Sequence, residues 1–314
     1  MGAFRELMVE LLGRWPEPAP LDARVEERVD LADVVRERVT YAVEPGERVP
    51  AYLFVPTDVQ PIERRPAIFA HHQHAGQFHV GKSEVAGLAG NPEQAYALEL
   101  ARRGYVVLAP DAICFEERGP YHGALDMPSR PEAGRDFERF EFTSRLLYGS
   151  CLQTKMLWDM QRGLDYLQSR PEVEADRLGC IGHSLGGQQT LFLAALDERV
   201  RAAVSSCGFA SMQSILRDDI NHNFGAYVPG WLEHGDVGEL LAEVAPRAFL
   251  ALNGATDRIF PVDGVEESYQ VARRAYDAAG CTERLDLGIY PGGHGFADEM
   301  RERAYAWLDR WLGR

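Results

Sequence analysis

Residues 177–196 read RLGCIGHSLGGQQTLFLAAL, an apolar run that leads through a glycine-rich turn into a second apolar segment. The turn contains the pattern G-x-S-x-G, centred on Ser184. Residues 177–181 are typical of a buried strand, and residues 187–196 of a helix. A serine between a strand and a helix lies on a strained turn, where the flanking glycines avoid steric clashes. The stretch therefore predicts that Ser184 is a nucleophile; the alternative is a glycine-rich joint with an unreactive serine.

The same alternation of strand and helix continues on both sides of this stretch. Short apolar runs separated by amphipathic segments favour a mostly parallel sheet with helices on both faces, an α/β fold. The predicted strands are Ala67–Ala70, Tyr105–Ala109, Leu178–Ile181, Ala202–Ser205, Ala248–Leu252 and Leu285–Tyr290. Helices are predicted near residues 92–103, 150–169, 186–196, 264–279 and 298–312.

The N-terminal part does not follow that alternation. Residues 1–30 are predicted to be a helical extension, with an amphipathic helix over 3–14. Residues 39–43 and 51–55 flank the turn sequence EPGE and predict an antiparallel hairpin at the sheet edge. No repeat or low-complexity linker interrupts the chain, so a single domain is expected over residues 1–314.

Two long segments lack the strand–helix pattern. Residues 111–149 and about 207–245 follow strand ends, and ligands of open α/β sheets bind beyond the carboxyl ends of strands. We expect both segments to form walls of the binding pocket, the second as a small cap.

Composition narrows the classes of partner. The formal net charge of −15 disfavours nucleic acid and anionic membranes as partners and leaves small molecules as the expected class. Five scattered cysteines without a C-x-x-C pair indicate neither a disulfide framework nor a zinc site. The first 15 residues lack the pattern of a signal peptide, and no apolar run reaches membrane-spanning length, so a cytoplasmic location is expected. A homo-oligomer is compatible with the sequence.

A serine nucleophile needs a base, and the best candidate is His294. It lies in the loop YPGGHGF, directly after the last predicted strand, from which it can reach over the sheet. The alternative is a solvated loop histidine. His183, inside the serine turn, is interpreted as a packing or hydrogen-bonding residue.

The base in turn needs a carboxylate that fixes its tautomer, and Asp257 is the candidate. It follows the predicted strand Ala248–Leu252, and the order serine, aspartate, histidine is that of α/β-hydrolases. Asp263 and Asp218 are rivals, for which a role at a helix start and a role at the surface are the preferred interpretations.

Two backbone N–H groups must stabilise the oxyanion. One is expected from Leu185, and the other from Gln73, with His72 as second choice. The loop after the first parallel strand also allows a metal reading, through His71, His72, His74 and His79. It lacks helical H-E-x-x-H spacing and an obvious carboxylate ligand, so no metal is expected.

Substrate contacts are expected from the two long segments and from the histidine loop. The candidates are His72, Glu116, Arg118, Phe224, Tyr227 and Trp231. The aromatic residues could instead anchor the segment to the body of the protein. Arg118 and Arg258 could bind a substrate carboxylate, but structural pairing with Glu116 or Glu117 is the preferred interpretation.

Three motifs in order, GHSLGG, APRAFLALNGATDRIFP and YPGGHGF, resemble the dienelactone hydrolase and acetyl-xylan-esterase-like branch of the α/β-hydrolase superfamily. The resemblance runs from about residue 35 to the C-terminus. It implies an eight-stranded sheet, no cofactor and a two-step acyl-enzyme mechanism. Two departures stand out: dienelactone hydrolases proper use a cysteine where this chain has Ser184, and His71-His72 replaces their usual His-Gly pair.

The motifs and the resemblance predict a serine hydrolase of carboxylic esters, a carboxylesterase or a deacetylase of small or sugar-linked esters. Hydrolysis of a lactone is one alternative. A peptidase of the prolyl-oligopeptidase type is another, although that type normally carries a propeller domain that 314 residues cannot hold. A non-catalytic binding protein would be expected to lack a member of the triad, and none is missing.

Overall fold

A computed structural model describes residues 2–58, 63–120 and 131–313. The strands are β1 Arg24–Asp30, β2 Val34–Glu44, β3 Glu47–Pro56, β4 Arg65–His71, β5 Val106–Pro110, β6 Val173–His183, β7 Val200–Ser206, β8 Ala248–Gly254 and β9 Leu285–Tyr290. The α-helices are α1 Ala3–Leu11, α2 Lys82–Val85, α3 Tyr96–Arg102, α4 Pro131–Leu147, α5 Leu152–Ser169, α6 Leu185–Leu196, α7 Met212–Arg217, α8 Val237–Ala242, α9 Val262–Ala278 and α10 Asp298–Leu312.

All nine of these strands belong to one sheet, in the order β1-β2-β3-β5-β4-β6-β7-β8-β9. The pairs from β5 to β9 are parallel, and the pairs that join β1, β2, β3 and β5 are antiparallel. The mostly parallel sheet and the N-terminal hairpin are therefore confirmed.

The predicted number of strands was wrong, because the sheet has nine where eight were expected. The additional strand is β1, within the segment predicted to be a helical extension; only Ala3–Leu11 of that segment is α-helical. Six of the seven side chains of β1 are exposed. A charged edge strand covers no core and shows no alternation of apolar residues, so its sequence, RVEERVD, carried no strand signal.

Helices cover both faces of the sheet. Neighbouring residues of a strand point to opposite faces, and in β6 the Cys180 thiol contacts the carbonyl oxygen of Thr190 in α6. A side chain at the preceding Gly179 would instead meet Leu312 at the end of α10. The helix predicted near residues 150–169 is α5, and it buries an apolar face from Leu152 to Leu167. Among the described residues, no helix combines the length and apolar character needed to cross a bilayer.

The two long segments hold short or peripheral elements. Residues 131–147 form α4, and the segment 207–245 contains α7, α8 and two single 3₁₀ turns, Phe224–Ala226 and Trp231–Glu233. Both segments reach the edge of the sheet at which the parallel strands end.

A buried lysine fixes the loop that follows β5. Lys82 has no exposed surface, and its ammonium group contacts Asp111 at 2.8 Å, Glu116 at 2.5 Å and Glu117 at 2.7 Å. Burial lowers the pKa of Lys82, but the Asp111 and Glu116 carboxylates outweigh burial and raise that pKa overall. The ammonium group thus stays charged and holds residues 111–117 against α2.

Replacing this lysine should strongly destabilise the fold. Lys82→Met leaves Asp111 buried without its cation, and breaking a buried pair in this way costs about 3–5 kcal/mol. Chemical denaturation of the variant should show that loss in the free energy of unfolding. The control, Arg217→Met, removes an exposed pair with Asp263 and should leave this free energy nearly unchanged. Equal stability of the Lys82 variant and the wild type would contradict the role given to Lys82.

Candidate active site

The backbone of Ser184 adopts a conformation that is rare for a residue with a side chain. Ser184 links β6 to α6 with φ 57° and ψ −122°. Its N–H donates to the carbonyl oxygen of Ser206 at 2.9 Å, and its carbonyl accepts from the N–H of Gln188 at 2.9 Å. The side chain keeps 8% of its surface exposed. The predicted strand–turn–helix is therefore present around Ser184.

The glycines of the motif allow three backbone segments to meet at this turn. A Cβ at Gly182 would overlap the backbone of Gly186, and a Cβ at Gly186 would overlap the carbonyl of His71. A Cβ at Gly187 would come within 2.7 Å of Gly208, in the segment after β7. Each glycine is thus required by a neighbouring backbone, and the loop after β4 lies directly against the start of α6.

The parallel sheet brings the three triad candidates together. Ser184 follows β6, Asp257 follows β8 and His294 follows β9, and parallel strands end at the same edge. His294 Nε2 lies 2.9 Å from Ser184 Oγ, and His294 Nδ1 lies 2.8 Å from Asp257 Oδ2. These distances form an unbroken hydrogen-bonded line from carboxylate to hydroxyl.

The carboxylate is held in its ionised form. Burial raises the pKa of Asp257, but the hydrogen bond and charge of His294 and the N–H groups of Ile259 and Phe260 outweigh burial and lower that pKa. Ile259 N donates to Asp257 Oδ1 at 2.8 Å. An acceptor at Oδ2 requires the proton of His294 on Nδ1, which leaves the lone pair of Nε2 directed at the serine hydroxyl.

The rival carboxylates lie elsewhere. Asp263 and Asp218 both pair with the exposed guanidinium of Arg217, at 2.7 Å each. Asp263 also accepts from the N–H of Gly264 in the first turn of α9, as its expected role at a helix start requires.

His183 is a packing residue, as interpreted from the sequence. Its Nδ1 lies 3.0 Å from Ser206 Oγ, and its ring stacks on Phe296 at 5.8 Å and lies 4.8 Å from the His294 ring. Burial, and then the charge of His294, lower the pKa of His183 to about 3, so the ring stays neutral beside the triad.

The expected oxyanion donors lie next to the serine. Leu185 is the first residue of α6, where an N–H has no acceptor within the helix. Gln73 borders the same cleft as Ser184. Its side-chain amide donates to Glu84 at 3.0 Å and so does not bond to the backbone N–H of Gln73.

His72 supports the loop through its ring. Its Nε2 accepts from the N–H of Ala112 at 3.0 Å, so its Nδ1 carries the proton that is donated to the Gln73 carbonyl at 2.8 Å. Burial lowers the pKa of His72 to about 4. The neutral ring thus ties the Gln73 peptide to the loop after β5, and neither ring nitrogen remains for a substrate.

A cleft of about 250 Å³ opens above the serine. Nine of its thirteen lining residues are polar, which favours substrates that form hydrogen bonds. The lining residues are Gln73, His74, Ala75, Gly76, Arg135, Glu138, Ser184, Asn221, His222, Asn223, Phe224, Ile259 and His294. Of the six predicted substrate contacts, this described lining includes Phe224.

The other predicted substrate contacts need correction, because the structure gives their side chains other partners. His72 braces the oxyanion loop, and Glu116 binds Lys82 and the N–H groups of α2. Arg118 is buried against Asp159 and Glu47, so its carboxylate partners are neither Glu116 nor Glu117. Trp231 packs on Phe192 of α6 at 5.6 Å, and Tyr227 packs, partly buried, against the main hydrophobic core. The last two therefore anchor the cap segment, which was the alternative reading.

The described residues include the whole histidine-rich loop after β4. No group of three converging ligand atoms in this part of the chain includes His71, His72, His74 or His79. His71 and His72 are buried, whereas His79 is exposed.

Two polar residues of the cleft that contact each other, His74 and Glu138, were not predicted to be substrate contacts. His74 Nδ1 accepts from the N–H of Gly76 at 3.0 Å, and its Nε2 lies 3.2 Å from Glu138 Oε2. Glu138 lies on α4, is 2% exposed, and also accepts from the N–H of Phe224 at 3.3 Å. The segment 111–149 was expected to form a pocket wall, but nothing in the helical pattern of α4 distinguished Glu138 from its other acidic residues.

Comparisons with known proteins agree with this fold. The chain is 30% identical over 98% of its length, and over 98% of the other chain, to YtaP of Bacillus subtilis (strain 168), provisionally named a hydrolase. A glucuronoyl esterase from Solibacter usitatus superposes with a TM-score of 0.68 at 16% identity, over 97% of this chain and 91% of that one. Acetyl xylan esterase 1 from Thermoanaerobacterium sp. JW/SL YS485 superposes with a TM-score of 0.62 at 18% identity, over 99% of both chains.

The fold and the Ser–His–Asp contacts define an α/β-hydrolase. Residues 82–230 match the model of the dienelactone hydrolase family. The chain belongs to this family, and it is an ester hydrolase.

The buried histidines should make stability depend on pH. Burial, and secondarily the charge of His72, lower the pKa of His71 from 6.5 to about 3. Below pH 6.5 the unfolded chain therefore binds the proton and the folded chain does not, so stability is full above pH 6.5 and falls as the pH drops.

His71→Phe should make this dependence shallower. The mean slope of unfolding free energy against pH, measured between pH 6.5 and 5, should decrease by about 1 kcal/mol per pH unit. The matched control is His79→Phe, because His79 is exposed and should leave the slope unchanged. An equal decrease in both variants would show that the buried ring is not the cause.

Proposed function

We propose that this protein cleaves carboxylic esters through an acyl-enzyme intermediate, with Ser184 as nucleophile, His294 as general base and acid, and Asp257 as the residue that orients His294. The observation that carries the proposal is the line of contacts from Asp257 Oδ2 through both nitrogens of His294 to Ser184 Oγ. In this arrangement the ionised Asp257 also stabilises the imidazolium that forms when His294 takes the serine proton.

The first half of the reaction forms the acyl enzyme. Ser184 Oγ bonds to the ester carbonyl carbon as its proton moves to His294 Nε2, and the carbonyl oxygen becomes an oxyanion. The N–H groups of Leu185 and Gln73 donate to this oxyanion. Collapse of the intermediate breaks the bond to the alkoxide, which leaves as an alcohol with the proton from His294.

Water completes the cycle in the second half. His294 takes a proton from water, the oxygen adds to the acyl carbon, and Ser184 Oγ leaves with the proton returned by His294. The acid product and the free enzyme result. The steps need no group beyond the triad, the two backbone donors and water.

We further propose that the substrates are small or sugar-linked esters. The nine polar residues that border the cleft support this class, as do the names of the carbohydrate esterases that share the fold. Lactone hydrolysis is the second candidate, favoured by the family match, and it uses the same steps because a lactone is a cyclic ester. A panel of p-nitrophenyl esters of increasing chain length, acetylated sugars and lactones decides between them.

The remaining expectations about context stay predictions. A net charge of −15 supports a small-molecule ester rather than nucleic acid or a membrane as partner. A cytoplasmic location can be tested by cell fractionation, and self-association by analytical ultracentrifugation.

Removing the serine hydroxyl tests the nucleophile. Ser184→Ala should lower kcat on p-nitrophenyl acetate by at least about a thousandfold and abolish labelling by a fluorophosphonate, while the circular dichroism spectrum stays unchanged. The control is Ser205→Ala. The Ser205 hydroxyl donates to the buried carbonyl of Gly187 and is not the labelled group, so this variant should still be labelled at Ser184. Residual labelling of Ser184→Ala at the wild-type rate would refute the assignment.

Removing the brace at His72 tests the oxyanion loop. His72→Phe frees the Gln73 peptide from Ala112, and a misplaced donor should lower kcat roughly 10- to 100-fold. KM should change less than about threefold, because the ring does not border the cleft. His72→Gln, which can again accept from Ala112, should recover part of kcat. A rise in KM with unchanged kcat would instead indicate that His72 contacts the substrate.

A further inference from the structure

The cleft contains a carboxylate that the proposed mechanism does not use. Glu138 borders the same cavity as Ser184 and His294, yet its side chain is 2% exposed. Its two contacts are N–H donors, His74 Nε2 on Oε2 and Phe224 N on Oε1. Both oxygens therefore act as acceptors, which suits the ionised carboxylate.

Within the described part of the chain, neither hydrogen-bond partner of Glu138 carries a charge that would compensate its carboxylate. His74 Nδ1 accepts from the N–H of Gly76, so the imidazole donates to Glu138 as a neutral ring. Arg135, one turn earlier on α4, also borders the cleft, but it is exposed to solvent. An exposed charge is screened by water and salt, whereas a buried charge acts through a lower dielectric.

We propose that Glu138 is a specificity-determining residue that excludes esters with a carboxylate and makes the cleft select neutral or cationic ones. The proposal rests on the ester hydrolysis proposed above and narrows its substrate class. It disfavours lactones that carry a free carboxylate and leaves neutral lactones as substrates. Since Arg118 is buried against Asp159 and Glu47, it does not offset this charge in the cleft.

The test compares substrates that differ in one charge. The first pair places the charge on the acid side: p-nitrophenyl esters of a short acid that ends in a carboxylate or in a carboxamide. The second pair places it on the alcohol side: 4-acetoxybenzoate and 4-acetoxybenzamide. The wild type should prefer the neutral member of at least one pair by about tenfold or more in kcat/KM. Equal kcat/KM within both pairs would overturn the proposal without any variant.

Glu138→Gln should reduce this preference by about tenfold, because the carboxylate ester should gain in kcat/KM relative to the neutral ester. The matched control is Glu141→Gln, one turn further along α4, where Glu141 pairs with Arg145 at 2.8 Å. This control changes the net charge of the chain equally and should keep the wild-type preference. A preference unchanged in Glu138→Gln, or reduced equally in both variants, would refute the role of Glu138.

Covalent labelling of Ser184 tests the charge selection separately from ester hydrolysis. The rate of Ser184 labelling by a fluorophosphonate with a terminal carboxylate, relative to one with a carboxamide, reports the same discrimination without turnover. Slow labelling by the charged probe, relieved in Glu138→Gln, is expected. Labelling and hydrolysis that show no charge preference would remove the role of Glu138 and leave the ester hydrolase intact. If no probe labels Ser184, the nucleophile assignment fails, and the charge selection that rests on it fails too.

Discussion

The left-handed backbone of Ser184 is the constraint around which the site is built. A non-glycine residue at φ 57° and ψ −122° costs of order 1–3 kcal/mol, so neighbouring structure must hold it in place. Ser206 accepts its N–H, and the absent side chains of Gly182, Gly186 and Gly187 let three backbones close around it. The same contacts bring the loops after β4 and β7 against the start of α6, so one turn positions both the hydroxyl and the oxyanion loop.

The strand order explains how far Asp257 and His294 lie from Ser184 along the sheet. β7 lies between β6 and β8, so Asp257 starts two strands away from Ser184, and His294 starts three strands away. A histidine on the last strand can contact both only if its loop returns across the sheet, and YPGGHGF has the glycines for that path. The end of β7 contributes support instead of chemistry: Ser206 binds the Ser184 N–H and lies beside the His183 ring.

Sequence patterns predicted the parts of the fold and site that depend on local order along the chain. The serine turn, the parallel strands and the residues that follow β6, β8 and β9 each have a local signature. Contacts between distant segments have none: the partners of Arg118 lie on β3 and α5, and Trp231 packs on Phe192 of α6. For the same reason aromatic and charged residues in the two long segments suggested substrate contacts where the structure uses most of them as anchors.

The cleft wall and the oxyanion loop are mechanically connected, which limits how independently specificity and rate can change. His74 follows Gln73 directly, accepts from Gly76 in its own loop, and binds Glu138 on α4. Glu138 in turn binds the backbone of Phe224 in the cap segment. A single buried carboxylate therefore joins three walls of the cleft, and a movement of α4 must either break a hydrogen bond to a buried charge or pull on the loop that carries Gln73. Breaking such a bond is costly, so the wall and the loop should move together.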